Sequence, residues 1–97
     1  MSDYSFKAKL WIYQGKAAWH FVTLPKALSQ EIRVLCFDKK AAWGSVRVRV
    51  TIGSNSWNTS IFPDTKAGTY LLPIKVDVRK KEKIAADDIV EITFTIA

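Results

Sequence analysis

From Ser45 to Ile52 the chain alternates without a break. Val46, Val48, Val50 and Ile52 point one way, and Arg47, Arg49 and Thr51 point the other. A strict period of two built on β-branched residues is the pattern of a strand with one buried face. Gly53-Ser54-Asn55 supplies turn chemistry. Trp57, Thr59 and Ile61 then alternate against Ser56, Asn58 and Ser60. Two alternating runs joined by a short glycine-containing connection make a β-hairpin. The stretch from Trp43 to Thr59 is therefore expected to form the central hairpin of a small β fold.

The same period recurs. Phe6, Ala8, Leu10 and Ile12 alternate with Lys7, Lys9 and Trp11, and Val90, Ile92, Phe94 and Ile96 alternate with Glu91, Thr93 and Thr95. Leu72, Ile74, Val76 and Val78 alternate with Pro73, Lys75, Asp77 and Arg79, which predicts a further strand. Pro73 lacks a ladder donor and belongs at an edge or a bulge. The segment from Ala17 to Leu24 is apolar on both faces and is expected to be covered on both. One helix interrupts the strands. Pro25 suits a first helical position, and Leu28, Ile32 and Leu35 recur as one apolar stripe. A short turn is expected at Lys80 to Ile84, a tight turn at Ala85 to Asp88, and a loop from Pro63 to Gly68.

About six strands and one helix in 97 residues predict a single all-β domain over residues 1–97. The expected form is a small closed or partly open antiparallel barrel, because closure removes exposed strand edges. The helix is expected to plug one end. A flattened sandwich is the alternative.

Composition narrows the setting. Hydrophobic residues make up 48% and charged residues 25%, which is globular material. No apolar run approaches the roughly 20 residues of a membrane span, and the start carries no secretory signal pattern. Cys36 is the only cysteine, so no internal disulfide can form, and a reduced cytoplasmic protein is expected. The net charge of +6 tilts partners toward anions.

Several segments in order carry a resemblance. They are Trp19 to Pro25, Trp43 to Gly53, Trp57, Thr59 to Pro63, Gly68 to Pro73 and Val78-Arg79-Lys80. Together they resemble the bacterial domain-of-unknown-function family numbered nineteen-oh-five. The resemblance implies a small β-barrel of unassigned activity. Some relatives carry a second, helical domain and a "YdeI/OmpD-associated" label, which is expected to transfer poorly to this chain. No catalytic residue comes with the resemblance.

The residues give catalysis little to work with. His20, the only histidine, lies in an apolar strand and reads as structural. Cys36 falls at a helix C-terminus, whose partial negative charge disfavours a thiolate. Asp87 and Asp88 read as turn residues. No metal-ligand spacing is present, and no cofactor is expected.

Binding chemistry is better represented. Trp11 and Tyr13 fall on the polar side of an amphipathic strand, beside Lys7 and Lys9. An aromatic groove at a barrel mouth is predicted, with Trp11, Trp43 and Phe62 supplying rings and Arg47 and Arg49 supplying charge. It suits a small anionic or apolar ligand, or a protein segment. Lys7, Lys9, Arg79, Lys80, Lys81 and Lys83 form a predicted basic patch. That patch supports the alternative of single-stranded nucleic-acid binding, in which cations follow phosphates and rings stack on bases. An enzyme of unknown type is the third reading. A monomer and a homodimer through a strand edge are both compatible with the pattern.

Overall fold

The computed structural model describes residues 3–15, 19–36 and 44–97. Within them, alternation sets the pairing. β4 (Val46–Ile52) and β5 (Asn55–Asp64) form the expected hairpin about Gly53 and Ser54. Gly53 has φ +58, the left-handed value asked of glycine at the first central position of a type II′ turn. β7 (Ile89–Ile96) pairs with the other edge of β4, and β1 (Asp3–Lys9) pairs with β7, all antiparallel. This is the first wall. The second wall joins β2 (Trp11–Ile12), β3 (His20–Thr23), β6 (Thr69–Pro73) and the Phe62–Asp64 end of β5.

The full strand order is β1-β7-β4-β5-β6-β3-β2. Its two ends, β1 and β2, are parts of one segment bent at Leu10, so the sheet curls until its ends meet in a single chain. At the bend the Leu10 N–H donates to the Asp88 carbonyl at 2.9 Å, and its carbonyl accepts from the Asp87 N–H at 2.7 Å. Those bonds satisfy a fully buried backbone while the strand changes partner from β7 to β3. β5 bends between the walls in the same way.

Val46, Val48, Val50 and Ile52 face the interior as the alternation predicted, with Phe6, Trp57, Ile61, Ile92 and Phe94 around them. Each such side chain contributes about 1.5–3 kcal/mol relative to exposure. α1 (Lys26–Leu35) covers the end where β1 and β6 begin. Ser29 Oγ accepts from the Tyr70 N–H at 3.1 Å, and Ile32 and Cys36 join the core. Pro25 stands one residue outside the helix, with ψ 147. The buried stripe runs through Ser29, Ile32 and Cys36, whereas Leu35 is 59% exposed. The helix is rotated toward Tyr70 relative to the expected Leu28–Ile32–Leu35 face.

The larger correction concerns Leu72 to Arg79. The strand ends at Pro73, and a second helix, α2 (Val76–Glu82), follows. It covers the opposite end of the barrel. Val78 enters the core, Arg79 Nε donates to the Ile74 carbonyl at 3.2 Å, and the Glu82 carboxylate accepts from Asn55 Nδ2 in the hairpin turn. Among the described residues the expected six strands and one helix are thus seven strands and two helices, and the all-β, barrel-like class stands.

Candidate ligand-binding face

Strand periodicity sends alternate side chains outward, and the two walls carry different chemistry there. On the first wall the outward rows are Asp3–Thr95–Arg49–Asn58 and Ser5–Thr93–Thr51–Ser56. Their members bond across strands. Thr51 Oγ1 and Ser56 Oγ lie 2.7 Å apart, Arg49 donates to Asn58 Oδ1 at 3.1 Å, and Arg47 donates to Ser60 Oγ at 3.2 Å. This is a polar surface, largely matched within itself.

The second wall is aromatic on the outside. Trp11, Phe21 and Pro73 form one cross-strand row, and Thr23, Leu71 and Phe62 the next. Tyr13 and Trp19 extend it, joined by a bond from the Tyr13 N–H to the Trp19 carbonyl at 2.7 Å. Phe21 organises the rings. Trp19 stacks on it at 6.1 Å and 14°, Trp11 packs at 5.3 Å, and Tyr13 meets it edge-on at 6.5 Å. Trp11 is half-buried and donates its indole N–H to Thr23 Oγ1 at 2.9 Å, so it supports the surface more than it presents one. Tyr13 is 55% exposed, Trp19 54% and Phe62 43%. Tyr13, Trp19, Phe21, Phe62 and Leu71 enclose an open depression of about 370 Å³. Such a lining binds by burial and stacking.

The expected covering of Ala17 to Leu24 on both faces fails at Trp19, which stands exposed, while Ala17 and Ala18 lie outside the described residues. Trp19, Phe21 and Leu71 were not among the predicted site residues. The signal for Trp19 and Phe21 was the two-sided apolar character of their segment, which burial by a neighbour would also explain.

Of the predicted ligand-binding residues, Trp11 and Phe62 lie on the aromatic wall. Arg47 borders it, because Ser60 and Phe62 both face outward on β5, about 7 Å apart. Arg49 lies farther along the polar wall. Trp43 lies outside the described residues. The predicted basic patch is divided. Lys7 and Lys9 face outward on β1, opposite Glu91 and Ile89, while the rest lie on or just after α2. Arg79 is turned inward, with Nη1 3.2 Å from His20 Nε2. A guanidinium only donates, so Nε2 accepts and the ring proton sits on Nδ1. His20 is thereby held in a structural contact. Asp88 Oδ2 accepts from the Ala85 N–H at 2.8 Å, which is turn duty.

Burial raises the Tyr4 hydroxyl above its ordinary value, and the nearby Glu31 carboxylate adds to the effect. Burial also raises Tyr70, partly offset by the Arg33 guanidinium. Both tyrosines lie under α1, away from the aromatic wall. Among the described residues no group of His, Cys, Asp and Glu is arranged to hold a metal ion, and no helix is long and apolar enough to cross a membrane.

No curated protein matches the chain significantly. The sequence model of one family spans nearly all of it, residues 6–94. The chain belongs to that family, the domain of unknown function DUF1905, whose resemblance the hairpin and its flanking segments carry.

Proposed function

We propose that this protein is a non-catalytic binding module and that the aromatic wall formed by β2, β3, β6 and the end of β5 is its site. The observation that supports this reading is the gathering of Tyr13, Trp19 and Phe62 on one continuous outer surface around Phe21. Scattered exposed rings are ordinary on a protein surface, whereas a contiguous apolar patch marks an interaction site. The ligand presents ring or aliphatic surface to this wall. Arg47, at its border, favours a ligand that also bears negative charge.

An apolar, ring-bearing anion such as anilinonaphthalene sulfonate tests the reading. The folded protein is expected to bind it, and Trp19→Ala and Phe62→Ala each to weaken binding by tenfold or more with the fold intact. Undiminished binding by both variants overturns the assignment.

Arg47 at the border of the rings, with Arg49 farther along the same strand, favours a second reading, single-stranded nucleic acid. For single strands each neutralised phosphate contributes about −0.7 to the slope of log affinity against log salt. Binding of an oligothymidylate with no salt dependence rules this reading out.

A further inference from the structure

Among the described residues, β5 is paired on one side along most of its length and on the other only at its end. β6 pairs with it only at Phe62, Pro63 and Asp64, while β4 pairs with it from Asn55 to Ile61. Between the Phe62–Leu71 pair and the Glu82–Asn55 contact, no described strand lies against the second edge of β5, and a seam opens in the barrel. Two hollows follow it, of about 210 Å³ and 120 Å³. They meet at Trp57 and Lys75, which line both.

Hairpin geometry identifies the backbone groups in this seam. The residues flanking a two-residue turn exchange hydrogen bonds with each other, so Asn55 faces Ile52. Bonded and non-bonded positions then alternate along an antiparallel pair. Trp57, Thr59 and Ile61 therefore direct their N–H and C=O groups into β4, and Ser56, Asn58 and Ser60 direct theirs into the seam. Phe62, next in that series, bonds toward β6, as its pairing with Leu71 requires. From Ser56 to Ser60 the edge is about 13 Å long. A strand edge without a paired strand is a template for another extended chain.

Lys75 and Lys81 line the opposite side of the seam with Asp77, the Glu82 carboxylate at its end is held by Asn55, and the Lys75 ammonium sits 5.9 Å from the centre of the Trp57 ring.

We propose that this seam is a peptide-binding site, in which an extended, acidic segment of a partner protein pairs with β5 and places carboxylates toward Lys75 and Lys81. The proposal rests on the reading of the chain as a binding module, and Trp19 is shared between the larger hollow and the aromatic wall.

The probe is an acetylated, amidated hexapeptide of alternating valine and glutamate, followed by amide hydrogen exchange. Binding should slow exchange at Ser56, Asn58 and Ser60, while Trp57 and Thr59, already bonded to β4, stay unchanged. Lys75→Glu combined with Lys81→Glu should weaken binding at least tenfold. An N-methylated form of the peptide, which cannot pair, should not bind. Phe62→Ala should retain peptide binding, and the double lysine variant should retain binding of the aromatic anion, so failure of one site is distinguishable from failure of the other. No binding at millimolar peptide, binding without the alternating protection, or equal binding of the methylated peptide each overturns the proposal.

Discussion

Gly53 offers a sharp test of how α2 is attached to the central hairpin. Its φ is +58, and a Cβ built there meets the Glu82 carboxylate at less than van der Waals distance. Glu82 is the far end of a flexible side chain, so Gly53→Ala would push it aside and leave the backbone in place. The carboxylate accepts from Asn55 Nδ2 at 2.5 Å and, more weakly, from the N–H and Oγ of Ser54, each at 3.4 Å. Two of these bonds are long and the site is partly solvated, so their combined contribution is about 1–2 kcal/mol. The left-handed conformation costs an alanine a further 1–2 kcal/mol or so. Gly53→Ala should therefore destabilise the native protein by about 2–4 kcal/mol, and only by about 1–2 kcal/mol when Glu82 is already alanine. Urea denaturation at constant m-value measures both. Equal costs in the two backgrounds, within about 0.5 kcal/mol, would refute the contact between Glu82 and the turn as a contributor to stability.

Ile92 is fully buried between the walls, so Ile92→Ala should cost about 2–5 kcal/mol and lower the melting temperature by roughly ten degrees or more. Lys83 closes α2 with φ 55; Lys83→Gly relieves that conformation and should raise stability by about 0.5–1 kcal/mol in thermal melts. Tyr4 and Tyr70 ionise above the ordinary tyrosine value in the folded state. The native state then holds their protons more tightly than the unfolded chain, so their contribution is present below the ordinary value near pH 10 and falls as pH rises through the folded values. Tyrosinate absorbance that develops at lower pH in the folded protein than in urea would contradict this.

Most of the fold was legible where one side of a strand is buried and the other is polar. Val46 to Ile52 and Val90 to Ile96 are such strands, and they lie where the alternation put them. Leu72 to Val78 shows the limit of that signal. Its apolar residues keep the period of two across a change of structure. Ile74 donates to the His20 carbonyl at 2.9 Å, after which the chain turns into a helix too short to display a 3.6-residue period. Val76 is consequently exposed and Val78 buried. The bend at Leu10 was hidden for a related reason: side chains keep alternating through it, and only the identity of the paired strand changes. The candidate site was half legible. Trp11 and Tyr13 stand out because they interrupt a polar face, but Trp19 and Phe21 lie in a segment apolar on both sides. Nothing local separates a ring covered by a neighbour from one left open.

The two bent strands explain why the barrel has one polar and one aromatic outer wall. On the first bent strand the outward series is Ser5, Lys7, Lys9, then Trp11 and Tyr13. On β5 it is Ser56, Asn58, Ser60, then Phe62. Each series turns from polar to aromatic where its strand passes from the first wall to the second. The strands are far apart in sequence, and neither change is needed for packing the interior, because both series point away from it. The same boundary drawn twice argues for one surface with one use. Extending the polar series through it, with Tyr13→Gln and Phe62→Ser together, should then leave the core untouched. The expected stability change is within about 1 kcal/mol, as for surface positions generally, with binding of the aromatic anion abolished. A loss of several kcal/mol would instead assign these rings to the packing of the barrel, and the aromatic wall would no longer stand as a site.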